Sequence, residues 1–87
     1  MQSIHTETLG PPASGTYKGE VREGAELLGV SVQDGQMVLA FLQSTHEPPD
    51  TKTVAIFKTG EDMGNHTYLP IGNFTHEGET YYAFEKI

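Results

Sequence analysis

Hydrophobic and polar residues alternate most regularly between residues 26 and 43, on either side of the dipeptide Asp34-Gly35. Asp-Gly between two apolar runs is typical of a type I′ β-hairpin turn. A two-residue loop at this position predicts three apolar cross-strand pairs on one face: Val32 with Met37, Val30 with Leu39, and Leu28 with Phe41. Residues 37–42 are apolar on both faces, which predicts a strand in the interior of a sheet.

Strand-like segments recur along the rest of the chain at intervals of about 8–12 residues. They are predicted at residues 1–8, 16–21, 52–59 and 67–74, with a last strand after residue 78. Ile4 is the only aliphatic anchor of the first segment. Pro70 cannot donate to a strand ladder, so it indicates an edge or a bulge. No segment has the uninterrupted 3.6-residue period of an amphipathic helix.

A second hairpin is predicted to close the chain around Glu77-Gly78. This turn pairs Thr75 with Thr80, Phe74 with Tyr81, Asn73 with Tyr82, and Ile71 with Phe84. A three-residue loop, 76–78, with an adjacent bulge is the alternative.

The predicted fold is therefore all-β: a small antiparallel sheet, a sandwich or a partly open barrel of about five to seven strands built from hairpins. The 87 residues are expected to form a single domain, 1–87. Residues 1–15 are expected to contain an N-terminal strand and a Pro/Gly-rich arm, and residues 44–51 and 60–65 to be loops.

Composition narrows the classes of partner. The chain has 12 acidic and 5 basic residues, a net charge of −7 and no cysteine. This balance argues against binding to nucleic-acid backbones and anionic membranes, and the lack of cysteine excludes disulfides and thiolate chemistry. With neither a signal peptide nor an apolar segment long enough to span a bilayer, we expect a cytoplasmic location. The acidity is interpreted as a source of solubility; imitation of nucleic acid is the alternative.

Candidate catalytic groups do not form a recognisable pattern. The four histidines lie in separate segments without the close spacing of a zinc site: His5, His46, His66 and His76. No serine lies in a nucleophile elbow, and no glycine-rich phosphate loop occurs. We therefore expect a non-enzymatic protein with neither a metal nor a cofactor.

Two residue sets suggest binding. Lys52 and Lys58 share a face of one predicted strand and, with Arg22 and Tyr68, form a hypothetical site for an anionic ligand. Lysines flanking an apolar strand also protect it against aggregation, which is the alternative interpretation. Tyr81 and Tyr82 place aromatic rings on both faces of the last strand, and this surplus indicates an interface, with homo-oligomerisation as one outcome.

Several segments resemble a family of small, uncharacterised all-β proteins encoded by tailed bacteriophages. The resemblance covers about residues 21–87 and is carried by EGAELL at 23–28, VQDGQ at 32–36, TG at 59–60, IGNF at 71–74 and FE at 84–85. It implies a phage accessory protein that meets host machinery inside an infected bacterium. The expected function is stoichiometric binding that inhibits a host defence factor; the alternatives are sequestration of an anionic nucleotide signal between protomers and a minor virion-associated role.

Overall fold

Seven β-strands make up the computed structural model, which describes all 87 residues, Met1–Ile87. The strands are β1 (Gln2–Gly10), β2 (Gly15–Arg22), β3 (Glu26–Gln33), β4 (Gln36–Ser44), β5 (Pro49–Lys58), β6 (Tyr68–His76) and β7 (Glu79–Lys86). No helical segment combines the length and apolar character needed to span a lipid bilayer. The all-β prediction is confirmed. Pro49 opens β5, whereas the sequence predicts a loop there; the first position of a strand tolerates a missing amide donor.

The strands form two antiparallel sheets. One has three strands in the order β1-β4-β3, and the other has four in the order β2-β5-β7-β6. Neither sheet closes into a barrel, so the architecture is a small sandwich. The predicted interior position of β4 is confirmed, since it lies between β1 and β3. The N-terminal strand β1 pairs with β4 of its own chain, with Ile4 opposite Leu42.

Both predicted two-residue turns are present. Asp34 and Glu77 adopt positive φ angles of 52° and 49°, followed by Gly35 at 75° and Gly78 at 80°. Two consecutive left-handed residues are the geometry of a type I′ turn, whose twist matches that of the flanking strands. Next to the turns the predicted registers are confirmed: Val32 pairs with Met37 and Phe74 with Tyr81.

Farther from each turn a bulge changes the register. In the first hairpin Leu27, instead of Leu28, pairs with Phe41, because the register shifts between Leu27 and Gly29. In the second hairpin Phe84 pairs with Pro70 instead of Ile71, because the register shifts between Pro70 and Gly72. The predicted pairs Leu28–Phe41 and Ile71–Phe84 are therefore wrong. The predicted association of Pro70 with an edge or a bulge is confirmed, since β6 is an edge strand.

The core lies between the two sheets. Its members are Val21, Ala25, Val30, Met37, Leu39, Phe41, Val54, Ile56, Phe74, Tyr81 and Ala83. Ile4 does not anchor β1, because its side chain is on the outer face and 68% exposed. The inner positions of β1 are the alternate ones: His5 stacks on Phe41 at 6.0 Å, and Leu9 packs against the core.

Side chains of the three-stranded sheet cover the free edge of β2. A Glu7 carboxylate oxygen accepts a hydrogen bond from the Glu20 amide at 2.9 Å, and the Gln43 side-chain oxygen accepts one from the Arg22 amide at 2.8 Å. Unpaired edge amides are a common route to unwanted strand addition. Here the opposite sheet satisfies two of them.

The connection from β5 to β6, residues 59–67, is a crossover loop. Since β7 lies between β5 and β6 and is antiparallel to both, β5 and β6 run in the same direction. The loop must return along the length of the sheet to begin β6. Gly60 and Gly64, with φ angles of 89° and 71°, supply its left-handed turns.

Candidate functional site

An aromatic cluster lies on the outer face of the four-stranded sheet, away from the core. Phe57 and Phe84 project from β5 and β7, with ring centroids 6.0 Å apart. Tyr68 at the start of β6 lies 5.5 Å from Phe57 and 5.8 Å from Phe84. The tilted and edge-to-face geometries are those that aromatic quadrupoles favour. The three rings form a second apolar centre outside the sandwich core.

The crossover loop packs against this cluster. The Tyr68 hydroxyl donates a hydrogen bond to the Met63 carbonyl at 3.2 Å, which connects the middle of the loop to β6. At the start of the loop, the Lys58 amide donates to a Glu61 carboxylate oxygen at 2.6 Å, and the Ser14 hydroxyl donates to the same oxygen. The hydrogen bond from Ser14, followed by that from the Lys58 amide, holds the pKa of Glu61 below its usual value.

Between loop and sheet an open cleft of about 260 Å³ remains. Half of its lining is hydrophobic; the lining residues are Phe57, Lys58, Thr59, Gly60, Glu61, Met63, Tyr82 and Phe84. Tyr82 is 36% exposed, and Thr59 donates a hydrogen bond to its hydroxyl at 3.4 Å. Small-molecule sites usually measure about 300–1,000 Å³, so this aromatic cleft is of a size suited to one large side chain.

The four residues of the hypothetical anionic site do not meet within one chain. The Lys52 ammonium forms an ion pair with Glu85 at 3.0 Å, where both side chains are more than three-quarters buried. Lys58 lies at the other end of β5, about 20 Å away at 3.3 Å per residue. Arg22 lies at the end of β2 and donates to the Glu47 carbonyl at 3.4 Å. Lys58 lines the aromatic cleft, and Tyr68 supports the cluster beneath it.

The two tyrosines of the hypothetical interface have different environments. Tyr81 is 7% exposed and stacks on Phe74 with centroids 5.1 Å apart, so its ring belongs to the core. Its assignment to an interface is corrected: the inward-facing position between Lys58 of β5 and Phe74 of β6 leaves no surface for a partner. Tyr82 points to the outer face, where it lines the aromatic cleft.

The histidines lie apart from one another. The His5 ring shares a hydrogen bond of 2.7 Å with the Ser3 hydroxyl, His66 packs edge-on against Tyr68, and His76 is 3.8 Å from the Glu77 carboxylate. No group of three or more His, Cys, Asp or Glu side chains is placed to hold a metal ion.

Sequence reasoning missed the cleft as a whole. The pattern predicts Phe57 in an apolar strand and residues 60–65 in a flexible loop, with no feature that connects the two. The one local signal is Met63, an apolar residue inside a polar loop, and single apolar side chains are too common on protein surfaces to predict a contact.

No family model, curated protein or solved structure matches the chain. A function must therefore be argued from the geometry of the site.

Proposed function

We propose that the protein is a non-catalytic, phage-type accessory protein that inhibits a host defence factor by stoichiometric binding, with the aromatic cleft as its docking site. The observation that carries the proposal is the cleft itself, a partly exposed recess with aromatic walls. The phage context is suggested by the resemblance of the turn and core segments at 23–36 and 71–74. Exposed aromatic recesses are typical of sites where a partner inserts one side chain.

The residues that line the aromatic cleft indicate which type of side chain the partner inserts. Phe57, Phe84 and Tyr82 present ring faces and edges, and Met63 offers a flexible thioether that adapts to the shape of its neighbour. A large aromatic or aliphatic side chain fills such a recess with favourable ring contacts. Energetically dominant interface residues usually occupy pockets of this kind.

The negative charge around the aromatic cleft indicates which residues surround the anchoring side chain on the partner. Glu61 lines the cleft and Asp62 follows it in the loop; both are exposed, and the whole chain carries a charge of −7. Complementary potentials accelerate encounter and exclude partners of the same charge. We therefore expect the anchoring side chain to lie within a basic region of the host protein.

The test is quantitative capture of a partner from bacterial lysate by immobilised protein. The wild type is expected to retain one host protein at a fixed molar ratio. Tyr82→Ala removes a wall of the cleft and is expected to weaken binding by about 2 kcal/mol, or about thirty-fold. Tyr82→Phe keeps the ring and is expected to bind nearly as well as the wild type.

Leu69→Ala is the matched control, since Leu69 is 52% exposed on β6 and does not line the cleft. The proposal fails if no protein is retained at a fixed ratio, or if Tyr82→Ala and Leu69→Ala capture the same amount as the wild type.

A further inference from the structure

The outer face of the three-stranded sheet carries small and aliphatic side chains and has no covering element. Its rows follow from the strand pairing: Ile4 with Leu42 and Glu26, then Thr6 with Ala40 and Gly29, then Thr8 with Val38 and Ser31. Ile4 is 68% exposed, and Leu28, at the bulge in β3, is 44% exposed at the border of the first row. The four-stranded sheet has the crossover loop over its outer face, whereas nothing crosses this one.

This face is also nearly uncharged. Among the outward positions of β1, β4 and β3, Glu26 at the beginning of β3 is the only charged residue. A chain of net charge −7 repels a second copy of itself over most of its surface. The outer face of the three-stranded sheet is where two copies can meet without placing two like charges opposite each other.

The surface shape of this face is complementary to a second copy of itself. Ile4 and Leu42 form a ridge that ends at Glu26 on the edge strand β3, and the adjacent row of Thr6, Ala40 and Gly29 forms a trough about 7 Å farther along the strands. A two-fold axis between these rows places the ridge of each copy in the trough of the other. A ridge and a matching trough on one patch are the requirement for an isologous interface.

We infer that this face binds a second copy of the chain, forming a symmetric dimer of two packed sheets. Three strands spaced about 4.8 Å apart and about nine residues long give a footprint of about 400 Å² per protomer. Stable interfaces bury about 800 Å² per partner. The dimer is therefore reversible, and its population rises with protein concentration.

Sedimentation velocity over a series from micromolar to hundreds of micromolar protein tests the inference. The wild type is expected to move from monomer to dimer across this series. Ile4→Lys places a charge on the ridge at a position that is already solvated, and Ala40→Lys fills the trough. Both variants are expected to remain monomeric over the whole range.

Leu69→Lys introduces the same charge at a 52% exposed aliphatic position on the other sheet, and it is expected to dimerise like the wild type. Circular dichroism shows whether each variant is folded. If Ala40→Lys is unfolded, Ile4→Lys still tests the inference, because Ile4 is exposed and its substitution does not disturb the core. A wild type that stays monomeric, leaving the face to another partner, overturns the inference. A dimer that persists in Ile4→Lys does the same.

Discussion

At the scale of single residues, Ser14 and Glu61 connect two loops that are distant in sequence. The Ser14 hydroxyl is the main reason for the lowered pKa of Glu61, and the Lys58 amide is the second. Because the folded-state pKa lies below the unfolded-state one, the contact stabilises the folded chain above the unfolded-state pKa. This contribution is lost as the pH falls through the folded-state pKa. Acidification is therefore expected to release the start of the crossover loop.

Ser14→Ala removes the leading cause and is expected to raise the pKa of Glu61 toward its usual value. A pH titration of the Glu61 carboxyl carbon by NMR measures this pKa directly. Ser44→Ala, a serine substitution at the opposite end of the sandwich, is expected to leave it unchanged. An identical titration of Glu61 in Ser14→Ala and the wild type would contradict the assigned cause.

At the scale of elements, Gly19 in β2 sets how closely the two sheets approach. A Cβ atom at this position would lie 3.0 Å from Leu39 Cδ2 and 3.5 Å from a Glu7 carboxylate oxygen. Leu39 is fully buried, so its methyl group cannot withdraw. Gly19→Ala reduces the conformational entropy of the unfolded chain, which stabilises the folded state by about 0.4–1 kcal/mol. Overpacking between the sheets destabilises it by about 1–3 kcal/mol. We expect overpacking to prevail and the variant to be destabilised by about 1 kcal/mol.

Urea unfolding at low protein concentration measures this difference. Gly29→Ala is the matched control, because a Cβ atom at Gly29 meets nothing within 4 Å and Gly29 does not have a positive φ. Gly29→Ala changes only the conformational entropy of the unfolded chain, so this variant is expected to be as stable as the wild type or more stable. Equal stabilisation by both substitutions would show that the sheets tolerate a wider separation.

The hairpins show how far sequence reasoning reaches at this scale. A type I′ turn needs two left-handed residues, and Asp34-Gly35 and Glu77-Gly78 supply them, so the registers next to the turns were predictable. The bulges were not. Leu27 and Leu28 are equally apolar, and only packing against the second sheet selects Leu27 for the inner side. Alternation within one hairpin contains no information about that choice.

The aromatic cleft was unpredictable for a related reason. Its walls come from β5 and β7, and its cover comes from the loop between β5 and β6. The assembly depends on β7 entering between β5 and β6. A chain of consecutive hairpins would have placed β6 next to β5 and left the loop 59–67 as a simple turn. Long-range strand order, not local pattern, determines which residues line the site.

At the scale of the whole molecule, charge is distributed unevenly. The outer face of the three-stranded sheet is almost neutral, whereas acidic residues lie at both ends of the sandwich. At one end they occupy the two hairpin turns and the start of the crossover loop, and at the other they line two recesses. There Glu23 and Glu47 line one shallow recess, and Glu20 and Asp50 line another. The Lys52–Glu85 contact is the only ion pair that joins a lysine or arginine to a carboxylate. Repulsion among unpaired acids therefore outweighs attraction, and it opposes folding.

Moderate salt is consequently expected to stabilise the protein. Raising ionic strength from about 0.01 M to about 0.15 M shortens the Debye length from about 30 Å to about 8 Å, which screens exposed acids more than the largely buried Lys52–Glu85 pair. A gain of about 1 kcal/mol would appear as a rise in Tm of about 4–8 °C.

The double substitution Glu23→Gln and Glu47→Gln changes the net charge from −7 to −7 + 2 = −5. It is expected to raise Tm at low salt and to reduce the salt response. Thermal scans at micromolar protein keep dimerisation out of the comparison, and a Tm that falls with added salt would mean that attraction between charges dominates this fold.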